Sequence, residues 1–297
     1  MEKYKSDAYK SKDSRRLLHD LYREHLLAMN VPVAERMVET RFGDTHVVFY
    51  GHPDGKPVLT LYGEYAINPL AIRPLAHGLN LEKIRLIVPD PLGTVGFSAE
   101  KRISSFKNYG EWACQIMNAL GLPDAAVLGY SFGAGIALQL CITSLLRVER
   151  LLLVMPSGIR SVSSSRVAKL IYPAFKNEQL VTDTMVKKAL NPILPFQQDE
   201  LIEAAKMIFL HAKIRKEGQK RVKKKSIRKY KSPVYVIAEK SDYLFPGEAV
   251  LKRAGKIIPC MPGSKLLAMG SHCGLYKDND ENVEEYFRAM SDFLLQQ

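Results

Sequence analysis

Ser131 lies in a pattern that can make a serine hydroxyl a nucleophile. It is the central residue of Gly129-Tyr130-Ser131-Phe132-Gly133, a G-x-S-x-G pattern. A nucleophilic serine in such a pattern sits on a tight, strained turn that projects its hydroxyl, and a side chain two positions away on either side would crowd that turn. Ordinary glycine-rich turns also contain this pattern, so its meaning depends on the elements around it.

The flanking residues predict a strand before the turn and a helix after it. AAVLGY, residues 125–130, reads as a buried strand, and apolar residues recur at helical spacing from Ile136 to Leu145. No charged residue occurs from Ala125 to Leu146, a length that could cross a bilayer. The cluster of glycines and Ser131 in its middle, with polar residues beyond, instead indicates the centre of a parallel sheet covered on both faces. We therefore predict a buried strand–turn–helix, with Ser131 as the nucleophile, and no membrane anchor.

A nucleophilic serine needs a general base, which in turn needs an orienting carboxylate. In this strand–turn–helix arrangement the serine, the acid and the histidine follow in that order along the chain. His272 is the predicted base, since it alone among seven histidines follows a plausible late acid; His46 is assigned an ordinary packing or surface role. Asp242 is the predicted acid because it follows the strand PVYVIAE in a loop closed by Pro246. Glu239, nearer the strand end, is the alternative.

Two backbone amides are expected to bind the oxyanion that forms during acyl transfer. The amide of Phe132 lies at the start of the helix after the turn. The second donor should come from the loop after the strand PVLTLY, where Gly63 permits close backbone approach. The amide of Glu64 is the candidate, with Tyr65 as the alternative.

These motifs together resemble the α/β-hydrolase fold superfamily, and most of all its small carboxylesterase-like serine hydrolases. The resemblance extends from about Met37 onward and includes IRLIVPDPLGTVGFS, which is similar to an aspartate–glycine–glycine–serine stretch of the family. Asp90, Gly93, Gly96 and Ser98 would match that stretch, with one extra residue between the glycines.

Three positions depart from the family pattern without removing a predicted catalytic residue. Tyr62 stands where a histidine commonly precedes the oxyanion glycine, and the acidic Glu64 follows that glycine. The stretch after His272 lacks the family's acidic-proline pair. Because a carboxylate beside an oxyanion would be repulsive, the Glu64 side chain is expected to point away or to pair with a cation.

The resemblance implies an α/β fold with a mostly parallel central sheet, flanking helices and an inserted helical cap. We expect the core at residues 37–156 and 232–297 and the cap at 157–231, which shows helical periodicity. Residues 1–36 are expected to form a tail, mobile to about residue 12, and an amphipathic helix marked by Leu18, Tyr22 and His25. That helix should pack on the domain flank, with a homodimer contact as the alternative.

Most of the net charge of +12 comes from one segment of the chain. Residues 213–231, the basic run, hold eleven Lys or Arg and one Glu, which leaves 32 basic and 30 acidic residues elsewhere. We expect a solvated surface; the alternative is a patch for an anionic partner, although the run lacks the interleaved aromatics of a base-stacking surface and no nucleic acid is expected.

The four cysteines form no C-x-x-C pair, so neither a metal site nor a disulfide framework is predicted. No cofactor is expected. The amino terminus has no apolar stretch typical of a secretory signal, and a cytoplasmic location is expected.

The predicted function is hydrolysis of a carboxylic ester, or a related small acyl substrate, through an acyl-enzyme on Ser131. Peptidase, thioesterase, acyltransferase, perhydrolase and carbon–carbon hydrolase activities remain open, because the same three side chains serve each reaction. Dehalogenase and epoxide hydrolase chemistry is disfavoured, since those relatives carry an aspartate at the turn. A ligand receptor without catalytic activity is an alternative of another class, and an interaction protein that uses the basic run is a third.

Overall fold

A single sheet forms the centre of the protein, described from a computed structural model. The structure describes residues 4–63, 65–195, 198–214, 220–276 and 281–296, and within these ranges the sheet has eight strands. In chain order they are β1 Val33–Val38, β2 Thr45–Tyr50, β3 Lys56–Leu61, β4 Ile84–Pro89, β5 Ala125–Tyr130, β6 Val148–Val154, β7 Val234–Glu239 and β8 Gly263–Leu267.

The sheet is mostly parallel, as predicted. Its strand order is β1-β2-β4-β3-β5-β6-β7-β8. β1 and β2 form an antiparallel pair, β2 lies antiparallel to β4, and every later pairing is parallel. The carboxyl ends of β3, β5, β6, β7 and β8 therefore meet at one edge, which is where α/β sheets bind their ligands.

Helices cover both faces of the sheet. They are α1 Lys12–Leu27, α2 Asn68–Gly78, α3 Asn108–Ala119, α4 Phe132–Thr143, α5 Ser164–Ile171, α6 Asp183–Leu190, α7 Asp199–His211, α8 Lys224–Ile227, α9 Gly247–Ile257 and α10 Glu281–Leu295, with 3₁₀ turns at Tyr172–Phe175, Glu178–Leu180 and Gly274–Tyr276. Residues of α1, α2, α7 and α10 pack in one apolar cluster, and residues of α3, α4, α8 and α9 pack in another.

The two clusters explain the uncharged stretch around Ser131. Along β5, Ala126 and Leu128 pack in one cluster whereas Val127 packs in the other, so neither face of the strand meets water. α4 is buried almost all round and is 12 residues long. Across the described ranges, no helix is both long and apolar enough to cross a membrane.

The expected cap helices are present between β6 and β7. α5, α6 and α7 occupy this segment, which the sequence marked by helical periodicity. The chain then returns to the core, because Val222, Ile227 and Tyr230 are buried in the cluster of α4 and α9. Five cationic residues on either side of Val222, here called the basic strip, are exposed: Lys220, Arg221, Lys223, Lys224 and Lys225.

The expectation of a mobile tail before α1 is wrong for residues 4–11. Tyr9 is fully buried, and its hydroxyl donates to Gly96 O at 2.7 Å and accepts from Gly96 N at 3.1 Å. Tyr9 also forms an isolated β-bridge with Ala212, at the end of α7. This polar segment is therefore ordered by tertiary contacts that its composition does not reveal.

The apolar face of α1 packs on the flank of the same chain, as expected. Leu18, Tyr22 and His25 are buried there. His25 Nδ1 lies 3.1 Å from Glu200 Oε1, and His211 Nδ1 lies 3.2 Å from a hydroxyl of α1, so contacts from α1 reach both ends of α7. The homodimer stays a prediction.

Candidate active site

Ser131 occupies a strained turn between β5 and α4. Its backbone has φ 52° and ψ −118°, a conformation that a residue with a side chain rarely adopts. A Cβ on Gly129 would lie 2.5 Å from Ala134 Cα, and one on Gly133 would lie 2.0 Å from Leu61 O. Backbone atoms therefore exclude a side chain at either position, which is the packing reason for the glycines that the sequence pattern implied.

The structure brings Ser131, His272 and Asp242 into one hydrogen-bonded chain. His272 Nε2 lies 2.8 Å from Ser131 Oγ, and His272 Nδ1 lies 2.7 Å from Asp242 Oδ2. His272 is 4% exposed and Asp242 is 2% exposed, whereas Ser131 is partly open to the adjoining cavity. The arrangement allows the imidazole to take a proton from the hydroxyl while the carboxylate holds the opposite nitrogen.

Asp242 is fixed by its own loop. Its Oδ1 accepts from Leu244 N at 2.7 Å and from Phe245 N at 2.9 Å, which leaves Oδ2 to His272. Glu239, the alternative acid, instead accepts hydrogen bonds from backbone amides, and no hydrogen bond joins its carboxylate to His272. The geometry therefore favours Asp242 as the acid.

Aromatic side chains hold the His272 ring. Tyr130 stacks on it with a centroid separation of 6.0 Å, and the Tyr130 hydroxyl donates to His272 O at 3.0 Å. Phe245 approaches from another side, at 5.8 Å between ring centroids. Burial raises the pKa of Tyr130 well above its ordinary value, so its hydroxyl stays a neutral donor.

Of the two predicted oxyanion donors, Phe132 lies among the described residues. Phe132, the first residue of α4, directly follows Ser131, so its amide belongs to the positive end of the helix. Gly63 comes close to Ser131, because a Cβ built on it would lie 3.6 Å from Ser131 Cβ. Glu64 lies outside the described residues, and its role stays a prediction.

Tyr62, one of the departures from the family pattern, packs beneath this loop. It is fully buried, and its hydroxyl donates to Asp90 Oδ1 at 3.2 Å. Asp90 Oδ2 also accepts from Phe97 N, and Asp90 O accepts from Ser98 Oγ. The aspartate of the glycine-rich stretch is thus a hub of hydrogen bonds that fixes the end of β3 beside Ser131.

Sequence reasoning missed a second histidine–carboxylate cluster at this hub. His46 Nδ1 lies 2.9 Å from Asp90 Oδ2, and its Nε2 lies 2.7 Å from Glu35 Oε2. Burial lowers the pKa of His46, but the hydrogen bonds with Asp90 and Glu35 outweigh this and raise it. Since a carboxylate lies within hydrogen-bonding distance of each ring nitrogen, His46 is not placed to act as a base for a hydroxyl. The long sequence separation of these residues left no local signal.

A cavity of about 230 Å³ opens beside Ser131 and His272. Its walls come from the cap, from α2 and from the loops after β3, β5, β6, β7 and β8, with apolar side chains such as Ile171, Ile208 and Phe209. Among the described residues no Lys, Arg, Asp or Glu lines it. Two other apolar residues of the cap, Phe175 and Met207, do not line it.

Other chemistry finds little support at this edge of the sheet. Cys273 also lines the cavity, but burial raises its pKa to about 12, so the thiol stays protonated near neutral pH. Within the described ranges, no group of three or more His, Cys, Asp or Glu side chains is arranged to hold a metal ion.

Comparisons with known proteins point to one fold. Residues 56–179 match the family described as alpha/beta hydrolase fold. Over 156 residues the chain is 24% identical to an uncharacterized carboxylesterase of Bacillus subtilis, and over 108 residues it is 31% identical to a 2-hydroxymuconate semialdehyde hydrolase of Pseudomonas putida. These alignments cover 52% and 36% of this chain, but only 48% and 38% of the two relatives.

A solved structure is similar over nearly the full length. The naproxen esterase of Bacillus subtilis superposes with a TM-score of 0.79, at 16% identity, covering 95% of this chain and 99% of that one. At this level of identity the similarity establishes the architecture.

Proposed function

The chain has the α/β-hydrolase fold, and we propose that it is a serine hydrolase that cleaves neutral carboxylic esters with an apolar acyl group. The observation that carries the proposal is the Ser131–His272–Asp242 chain of hydrogen bonds, at 2.8 and 2.7 Å, which opens on an apolar cavity. The proposed nucleophile, base and orienting acid are thereby within hydrogen-bonding distance of one another before a substrate arrives.

In the first half-reaction Ser131 becomes acylated. Its Oγ attacks the ester carbonyl carbon while His272 Nε2 takes the hydroxyl proton, and the carbonyl oxygen becomes an oxyanion facing the proposed amides of Phe132 and Glu64. When the tetrahedral intermediate collapses, the bond to the leaving alkoxide oxygen breaks. His272 gives that oxygen the proton, and the alcohol departs.

In the second half-reaction water removes the acyl group. His272 Nε2 takes a proton from a water molecule, whose oxygen attacks the acyl carbon and forms a second tetrahedral intermediate. Collapse returns the proton to Ser131 Oγ and releases a carboxylic acid. Asp242 holds the His272 Nδ1–H throughout, so that the protonated ring is stabilised in each step.

The cavity supports a neutral, apolar acyl group as substrate. A charged group transferred into apolar surroundings without a partner loses far more solvation than it regains. The described lining offers such a group no ion-pair partner. Burial of apolar surface, by contrast, favours binding by roughly 0.8 kcal/mol for each methylene.

Carbon–carbon hydrolysis is the second candidate, because the Pseudomonas putida relative is 31% identical over its aligned region. That relative's name describes a 2-hydroxymuconate, a substrate with a carboxylate. Without a described cationic side chain in the cavity, binding of a similar anion by this chain is less well supported than binding of a neutral ester.

A panel of nitrophenyl esters of graded acyl length, together with carboxylate-bearing esters of matched size, tests the proposal. We expect turnover of the neutral series, and a loss of roughly 10³-fold or more in kcat for Ser131→Ala with folding unchanged. Ser104→Ala, at an exposed serine outside the cavity lining, is the matched control. Equal turnover by Ser131→Ala and the wild type would overturn the proposal. A preference for anionic substrates would overturn the proposed specificity for neutral esters.

A further inference from the structure

Glu239 carries a buried carboxylate that the proposed reaction does not use. It is the last residue of β7 and is 0% exposed. Its Oε1 accepts from Ser241 N at 2.9 Å and from Gly270 N at 3.3 Å, and its Oε2 accepts from Met269 N at 2.7 Å. Among the described residues three donors and no acceptor face it, which is the hydrogen-bonding pattern of an ionised carboxylate.

No cation offsets this charge among the described residues, since Glu239 takes part in no ion pair there. A buried carboxylate without a cationic partner is costly, and its hydrogen bonds must compensate. Hydrogen bonds from amides to a carboxylate are stronger than those between neutral groups. The Glu239 carboxylate is therefore strongly bound to the backbone segments it contacts.

Those two segments are the loops that carry the proposed acid and base. Ser241 directly precedes Asp242, and Gly270 lies two residues before His272. The amide of Asp242 also donates to Glu239 O at 3.2 Å. One side chain thus joins the loop after β7 to the loop after β8, beside the 2.7 Å contact between Asp242 and His272.

The loop after β8 has few side-chain anchors of its own before His272. Gly270 has φ 88°, a conformation that favours glycine and gives the turn no side chain of its own. Ser271 Oγ is buried without a hydrogen-bond partner in the described part of the chain, so this hydroxyl does not anchor the loop. Tyr130 holds the carbonyl of His272, whereas Glu239 holds the amides of Met269 and Gly270.

We propose that Glu239 is a positioning residue, which fixes the two loops so that Asp242 meets His272 in the geometry that catalysis needs. The inference rests on the proposed function. Glu239 touches neither Ser131 nor the cavity: neither it nor the three residues whose amides it binds line the cavity wall. Its effect should therefore fall on kcat rather than on KM.

Glu239→Gln tests this role, with Glu248→Gln, an exposed residue at the start of α9, as the matched control. The glutamine keeps one acceptor oxygen, but its NH₂ group takes the place of the second carboxylate oxygen. This NH₂ donor must then face a backbone amide that donates to that oxygen in the wild type. A displacement of the base by about 1 Å can cost on the order of 10²-fold. We expect Glu239→Gln to lower kcat on a neutral nitrophenyl ester by about this factor, with KM within roughly twofold of the wild type. Glu248→Gln should keep wild-type kcat.

The double variant Glu239→Gln/Asp242→Asn separates positioning from general destabilisation. If Glu239 acts through the Asp242–His272 pair, its removal should cost less than roughly threefold in the Asp242→Asn background, because the two losses share one contact. Losses that multiply fully would overturn the inference, as would a wild-type kcat for Glu239→Gln or a change confined to KM.

Folding and the proposed function are checked separately. Thermal unfolding of each variant shows whether it is folded, and Glu239→Asp, which keeps the charge on a shorter side chain, replaces Glu239→Gln in the same assays if the latter does not fold. If Ser131→Ala retains full turnover, the proposed function fails. If Ser131→Ala is inactive and Glu239→Gln is like the wild type, only the positioning role fails.

Discussion

Replacing Asp242 by asparagine should leave the fold intact and move the proton of the neutral His272 ring from Nδ1 to Nε2. Asp242 Oδ1 accepts two backbone amides, from Leu244 and Phe245, so the asparagine oxygen must occupy that place. Its NH₂ group then faces His272 Nδ1 at the position of Oδ2, 2.7 Å away in the wild type. A donor there makes Nδ1 the acceptor, and the ring proton moves to Nε2.

The consequence for catalysis follows from the contact between Nε2 and Ser131. A protonated Nε2 in the neutral ring cannot take the hydroxyl proton, so the base is lost although every heavy atom stays in place. A wrong tautomer of this kind costs on the order of 10⁴-fold in kcat. That factor corresponds to about 5.4 kcal/mol of activation free energy.

Steady-state kinetics on a neutral nitrophenyl ester, together with urea unfolding, measures both parts of this prediction. The free energy of unfolding should change by no more than about 1–2 kcal/mol, because two of the three hydrogen bonds of the side chain persist. A loss of kcat below tenfold in the folded variant would refute the reasoning. So would a larger loss for Glu239→Gln than for Asp242→Asn, since that ranking would make Glu239 the acid.

Three further predictions concern the parts of the structure around the site. Tyr9→Phe should lower the free energy of unfolding by about 1–3 kcal/mol in urea titrations, because the buried Gly96 amide loses its acceptor. An unchanged free energy of unfolding would instead support the mobile tail expected from the sequence. Gly133→Ala should fail to accumulate as folded protein, since its Cβ would meet Leu61 O. Gly255→Ala on α9 should be neutral or stabilising by up to ~1 kcal/mol, because its Cβ would meet only the end of the Met261 side chain, at an ordinary van der Waals distance of 3.7 Å. Replacing all five residues of the basic strip by glutamine should change kcat/KM for a neutral ester less than about twofold, because exposed charges are screened; a salt-dependent rise in KM confined to anionic esters would instead indicate substrate recruitment.

The sequence predicted the parts of the fold that depend on local pattern. The turn at Ser131 was recognisable because its glycines and the uncharged strand and helix around it are contiguous. Chain order then limited the choice of base to His272 and of acid to two residues. The cap helices were predictable from apolar periodicity, although the cavity wall they form was not, since periodicity gives a face but not its partner.

Contacts between segments that are far apart in the sequence could not be predicted from it. Tyr9 lies in a polar segment, and its burial depends on Gly96, 87 residues further along the chain. The His46–Asp90 pair likewise joins β2 to the loop after β4. The sequence indicates Glu239 only as an alternative catalytic acid, because its hydrogen bonds run to backbone amides, which carry no sequence signal.

Covalent labelling of Ser131 tests the central claim most directly. A fluorophosphonate should add once to the wild-type protein, and peptide mass spectrometry should place the adduct on Ser131. His272→Ala should slow the labelling by orders of magnitude, and Ser131→Ala should abolish it. Labelling of another residue at the wild-type rate, or the absence of any adduct on the folded wild type, would contradict the assignment of Ser131 as the nucleophile.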